Sequence, residues 1–162
     1  MIFVTVGTHE QPFNRLIQKV DELVRDGKIK EEVFIQIGYS TYEPKYTKWA
    51  KVIGYDEMAD CLKKADVVVT HGGPSTYMQV LRLGKIPVVV PRQLKFNEHV
   101  NNHQLDVTKQ VQAKSYPVII CEDIEQLFED IQEVRKLKNI VQISQNKKFI
   151  ESFEKIVKGL IK

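Results

Sequence analysis

The sequence predicts an α/β fold: a single Rossmann-like, doubly wound parallel sheet of about six strands. Three observations carry that expectation. Short β-branched runs alternate with helix-period stripes along the whole chain. A central run, Val67-Val68-Val69-Thr70, is apolar at successive positions, as a strand buried on both faces requires. Finally, 162 residues with 43% hydrophobic and 28% charged composition suit one globular domain and exclude disordered, collagen-like and coiled-coil chains.

Taken in order, residues 2–6 form a β-branched run. Residues 13–25 then place Phe13, Leu16, Ile17, Val20, Leu23 and Val24 on one helical stripe that ends at Gly27. Residues 33–37 read as the second strand, the polar aromatic stretch 38–48 with Pro44 as a loop, and residues 49–53 as a short third strand. Helix-period apolar positions over 56–65 precede the central strand at 67–70, which turns into a helix over 76–83 closed by Gly84. A fifth strand at 87–90, a polar loop at 91–98, a helix at 99–112, a sixth strand at 118–121 and a helix at 124–137 follow. A last helix at 140–160, within a C-terminal amphipathic segment 138–162, puts Phe149, Phe153, Val157 and Leu160 on one stripe among several lysines. That segment is expected to dock on its own domain or on a partner subunit. With no repeat and no linker, residues 1–162 read as one domain.

Composition narrows the function classes. The longest apolar runs are strand-sized, well short of the ~20 residues that span a bilayer, and no basic-then-apolar leader opens the chain, so a cytoplasmic location is expected. Cys61 and Cys121 have no second cysteine at metal spacing and read as buried thiols. A net charge of +3 is too small to argue for nucleic acid, and no nucleic-acid partner is expected.

Ligands of open α/β sheets bind beyond the carboxyl ends of the strands, which directs attention to four loops: 7–12, 38–44, 71–75 and 91–98. The sharpest is His71-Gly72-Gly73-Pro74-Ser75. Paired glycines let backbone approach a ligand, and a proline in the first helical turn forgoes an N–H that would be unpaired anyway. The N–H groups of Gly73, Ser75 and Thr76 are then expected to point outward with the positive end of the helix dipole, an anion cradle. Neither the dinucleotide G-x-G-x-x-G nor the G-x-x-x-x-G-K-[ST] pattern occurs, and no Asp-x-Asp pair is present, so neither cofactor nor metal is expected. A sugar-nucleotide epimerase would also need Tyr-x-x-x-Lys, and Tyr42 has Tyr46 where the lysine should stand.

The run 67–75, Leu83-Gly84-Lys85, Val88-Val89-Val90-Pro91 and Glu98-His99-Val100-Asn101-Asn102-His103-Gln104 resemble the nucleotide-sugar half of glycosyltransferase family 28. The opening Phe3-Val4-Thr5-Val6-Gly7-Thr8-His9-Glu10-Gln11-Pro12-Phe13 resembles the small soluble subunits of bacterial exopolysaccharide and capsule glycosyltransferases. Those subunits are similar to the catalytic subunit of the eukaryotic bipartite GlcNAc transferase of dolichol-linked oligosaccharide synthesis. The resemblance covers roughly residues 1–135. It implies the C-terminal half of a GT-B enzyme that binds a UDP-sugar donor. The acceptor, a polyprenyl-diphosphate-linked saccharide, would be held by a separate membrane-anchored subunit that recruits this chain to the inner face of the membrane. It favours an inverting hexosyltransferase, with galactose as the sugar and N-acetylglucosamine as the alternative; a non-catalytic nucleotide-binding module is the rival.

Residue by residue, the resemblance assigns Gly72, Gly73, Ser75 and Thr76, with His71, to the diphosphate turn. It places Tyr55 and Met58 at the uracil, and Glu98, His99 and Asn102 at the donor sugar. Where many relatives carry a glutamate for the ribose hydroxyls this chain has Gln79, which lacks charge-assisted strength. Gly7, Thr8, His9 and Glu10 face the cleft; His9 would contact the β-phosphate or the partner, and His9 or Glu10 are candidate catalytic bases unless the acceptor half supplies one. Tyr39, Ser40 and Tyr42 are candidate cleft or partner contacts.

Overall fold

A computed structural model describes residues 1–137. The expected helix at 140–160 lies outside the described residues. Six strands form one sheet in the order β3-β2-β1-β4-β5-β6, and every neighbouring pair is parallel. The strands are β1 (Ile2–Thr5), β2 (Val33–Gln36), β3 (Lys48–Ala50), β4 (Val67–His71), β5 (Val88–Val90) and β6 (Ile119–Ile120). The helices are α1 (Asn14–Arg25), α2 (Tyr55–Lys64), α3 (Pro74–Arg82), α4 (His103–Ala113) and α5 (Leu127–Leu137). Among the described residues, no helix is long and apolar enough to cross a membrane.

The two-residue period of a strand sends alternate side chains to opposite faces, and both faces are covered. Ile2 and Val4 of β1, with Ile35 and Val69, pack against Leu16, Ile17 and Val20 of α1 and Ile131 and Val134 of α5. On the other face Phe3 and Val68 meet Leu62 of α2 and Val80 of α3, while Val89 meets Tyr77 and Leu81 of α3 and Val107 and Val111 of α4. This double coverage is why Val67, Val68 and Val69 of β4 are apolar without interruption. Cys61 and Cys121 are buried free thiols.

One boundary differs from the sequence reading in a way that matters. The helix expected from residue 99 begins at His103, because the chain first makes a short 3-10 turn, Leu94–Phe96, and then a left-handed residue, Asn97, at φ 57°. Residues 97–102 are therefore loop. Two other polar groups hold loops rather than line a cleft. The wholly buried Asp21 carboxylate accepts from Tyr42 Oη (2.8 Å) and from the Lys45 and Tyr46 amides (2.9 and 2.8 Å), and burial beside it pushes the Tyr42 phenol up to about 12. Ser40 Oγ accepts from Phe13 N–H at 2.9 Å. Ser40 and Tyr42 thus tie the β2–β3 loop to α1, and only Tyr39 of that trio is exposed.

Candidate functional site

β1 lies between β2 and β4, so the strand order reverses between β1 and β4, and loops leaving their carboxyl ends diverge to opposite sides. A crevice of about 220 Å³ opens there. Gly7 and Thr8 after β1, His71 at the end of β4, and Ser75 and Thr76 in the first turn of α3 form its polar side; Val52, Ile53 and Met58 form an apolar side. Its floor is Thr5 and Gln36, joined by a 2.6 Å bond from Thr5 Oγ1 to Gln36 Oε1, with Gln36 Nε2 donating to the Gly7 and Lys51 carbonyls.

The paired glycines do a different task from the one expected of them. A Cβ on Gly73 would press into the His71 imidazole, 2.9 Å from Nδ1, and a Cβ on Gly7, whose φ is +75°, would lie 2.6 Å from Nε2. The ring is wedged between the two turns. A Cβ on Gly72 would lie 2.7 Å from Gln104 Cβ on α4. The glycines therefore admit His71 and Gln104. Their amides are taken as well: Gly73 N–H donates to His71 Nδ1 at 3.0 Å and Gly72 N–H to Gln104 Oε1 at 3.0 Å. Thr76 N–H donates back to Gly73 O at 3.1 Å. The expectation that Gly73 and Thr76 offer outward amides is corrected accordingly. Among the described residues, the Ser75 N–H is the amide of this turn without a protein acceptor.

Burial, reinforced by the Arg92 charge and by His9 and His99, lowers the His71 pKa to about 3. The ring is neutral. Because Nδ1 accepts from Gly73, its proton sits on Nε2, which faces Thr76 Oγ1 at 3.4 Å. Thr76 accepts there and keeps its own hydroxyl proton for the crevice.

The structure brings Gly7, Thr8, Met58, His71, Ser75 and Thr76 together around the crevice. It also joins two residues from distant loops: the His9 and His99 rings stack at 4.5 Å with an 8° interplanar angle. Burial, then His9 and Arg92, lower the His99 pKa. Glu10 is exposed on the same turn as His9, and Tyr55 is exposed at the start of α2, outside the crevice lining. Gln79, one helical turn beyond Ser75, donates to the Ser75 carbonyl at 3.3 Å.

Two residues expected at the sugar make bonds within the chain. Glu98 is 2% exposed, and its carboxylate is gripped by Arg15, Nε to Oε2 and Nη2 to Oε1 both at 2.9 Å, while Oε1 also accepts from Gln93 N–H at 3.1 Å. Those bonds occupy both oxygens with structural partners. Asn102 Oδ1 accepts from Leu94 N–H at 2.9 Å and so pins its own loop. The sequence reading missed three residues here: Arg15, Gln104 and Arg92. Arg92 is wholly buried and donates to three backbone carbonyls. The one sequence signal for it was a charge two residues after an apolar strand, which reads equally well as an ordinary polar loop.

Comparison with known proteins agrees with this architecture. The profile of the glycosyltransferase family 28 C-terminal domain matches residues 1–160. The chain is 34% identical over 125 residues to the human UDP-N-acetylglucosamine transferase subunit ALG13 and 29% identical over 123 residues to the mouse protein of that name. These alignments cover 71% and 70% of this chain but 10% of each relative, so the chain spans about a tenth of their length. Among solved structures, Acinetobacter baumannii MurG superposes with a TM-score of 0.58 at 18% identity, over 94% of this chain and 49% of that one. The glycosyltransferase SnogD of Streptomyces nogalater does so with a TM-score of 0.54 at 19% identity, over 97% of this chain and 42% of that one. At such identities these two show the shared fold.

Proposed function

The chain belongs to the glycosyltransferase family 28 C-terminal domain family, and from that premise we propose that it is the UDP-sugar-binding half of a glycosyltransferase. The observation that carries the reading is the crevice between β1 and β4, which meets the N-terminus of α3 on one side and an apolar wall on the other. In this reading the diphosphate lies against α3. The Ser75 amide, the Ser75 and Thr76 hydroxyls and the helix dipole meet its charge. Uracil lies toward Val52, Ile53 and Met58, with Tyr55 at the rim, and the sugar toward His9 and His99.

Transfer proceeds by direct displacement. An acceptor hydroxyl attacks C1 of the sugar, a base takes the hydroxyl proton, and the bond from C1 to the diphosphate oxygen breaks with inversion as UDP departs. Charge grows on the leaving diphosphate, and donors already aimed at the crevice stabilise it without reorganising. His9 and Glu10 are this chain's candidates for the base; the acceptor-binding half is the other source.

The names of the two curated relatives favour N-acetylglucosamine over galactose as the donor sugar, and their description as subunits supports a partner chain for the acceptor. We take that partner to be membrane-anchored and the acceptor to be a polyprenyl-diphosphate-linked saccharide, as in exopolysaccharide, capsule or dolichol-linked assembly. This chain would then work at the cytoplasmic face of a membrane. Calorimetric titration with UDP, UDP-GlcNAc and UDP-Gal, with and without magnesium, tests the donor reading. Tighter binding of UDP-GlcNAc than UDP-Gal, weakened about tenfold in Ser75→Ala by loss of one hydrogen bond, is expected. No binding of any of the three would refute it. Activity with UDP-GlcNAc after co-expression with an acceptor-binding partner distinguishes a transferase from a nucleotide-binding module.

A further inference from the structure

The two turns that carry His9 and His99 meet on one guanidinium. Arg92 follows β5 and Pro91 and is completely buried. Its Nη2 donates to Val6 O at 2.7 Å, and its Nη1 donates to Gln11 O at 2.7 Å and Glu98 O at 3.1 Å. Val6 and Gln11 bracket the β1–α1 turn that holds Gly7, Thr8 and His9. Glu98 is the neighbour of His99. A planar fork with several donors can hold three carbonyls at fixed separations, which a single-headed ammonium cannot. The Phe13 ring packs 4.9 Å from the cation and closes the pocket.

Such a charge is expensive to bury: desolvation lowers the Arg92 pKa to about 10, with Glu98 opposing. The cost is offset only while all three carbonyls are in place. The remaining links between the same segments reach less far. Arg15 ties Glu98 and the Pro91 carbonyl to α1 but makes no bond to residues 6–11, and the half-buried Gln11 reaches Asn97 O through Nε2 at 3.1 Å while its Oε1 meets His9 Nε2 at 2.9 Å.

We infer that Arg92 is a positioning residue of the transfer reaction: by holding the Val6, Gln11 and Glu98 carbonyls on one guanidinium it sets the spacing of the two turns and fixes the His9–His99 stack beside the donor crevice. The inference rests on the donor-site reading above, because it is that reading which gives the stack and the Gly7–Thr8 rim something to position.

The test uses imidazole resonances and UDP titration on the full chain. In the wild type, His9→Ala removes a stacked ring and must move the His99 ring-proton resonances. In Arg92→Lys the His99 resonances should already sit where His9→Ala puts them, His9→Ala should move them no further, and UDP affinity should fall about tenfold, with the far-UV spectrum unchanged. If His9→Ala still shifts His99 by the wild-type amount in Arg92→Lys, the inference is overturned. Should Arg92→Lys fail to fold, Gln11→Ala decides. It cuts both Gln11 side-chain bonds, to Asn97 O and to His9 Nε2, and leaves the guanidinium and the Gln11 carbonyl, so the His9–His99 response should persist; its disappearance would place the positioning on the Gln11 side chain and refute the role of Arg92. A wild type that shows the response but binds no UDP refutes the donor site instead, and the two failures are told apart.

Discussion

Gly73→Ala is the sharpest probe of how the crevice is built. The backbone at Gly73, φ −71° and ψ 114°, suits any residue, so alanine brings no dihedral strain and its whole effect is steric. The new methyl would press on the His71 ring, 2.9 Å from Nδ1 and 3.1 Å from Nε2, and the ring cannot retreat because Gly7 closes its other side. Overpacking of this kind costs about 1–3 kcal/mol, and a further 1–3 is lost if the imidazole moves off the Gly73 amide and leaves a buried nitrogen unpaired, about 2–6 kcal/mol together. Urea unfolding of Gly73→Ala, His71→Ala and the double variant measures it. With the ring gone the methyl has room, so the double variant should be less destabilised than the sum of the singles, with a coupling of about 1–3 kcal/mol. Gly54→Ala serves as the control: a Cβ there meets nothing within 4 Å, so its effect should be limited to the poorer N-cap that alanine gives α2, about 1 kcal/mol or less. A Gly73→Ala protein as stable as wild type, or strictly additive singles, would refute the wedge.

Glu98→Gln should destabilise the fold by about 3–5 kcal/mol in urea, because it strands the Arg15 charge, and adding Arg15→Met should recover much of the loss. If Glu98 instead served the donor sugar, affinity for UDP-GlcNAc would fall while that for UDP did not. Stability should also depend on pH through His71, whose folded pKa of about 3 lies below its ordinary 6.5. The unfolded chain binds the proton first, so this contribution is complete above 6.5 and is lost as pH falls toward 3. Between pH 7 and pH 5 the loss is about 2 kcal/mol, His99 adding in the same direction, and urea midpoints of wild type against His71→Asn should show the slope reduced in the variant.

Much of the fold was legible because it rests on local pattern. Val67-Val68-Val69 has no polar face to offer water, and the sheet duly buries it on both sides. The stripe Leu16, Ile17, Val20 and Leu23 is the buried face of α1. The start of α4 was misread because nothing local announces that Asn97 turns left-handed or that Glu98 is drawn under Arg15. The glycine turn was located correctly, but the chemistry of its amides was not, since an amide's partner is whichever acceptor the rest of the chain delivers.

The amino-acid order alone determined where strands and helices alternate, which faces are apolar, and that paired glycines and a proline mark one strand-to-helix turn. Only tertiary structure decided which polar groups are spent. Arg92 finds Val6 and Gln11 across 86 and 81 residues, Arg15 finds Glu98 across 83, and Gly72 finds Gln104 across 32. Hydrophobic periodicity is a property of neighbours and can be read along a chain. A buried hydrogen bond is short, directional and indifferent to sequence distance, so it exists only once the backbone has brought its two ends together.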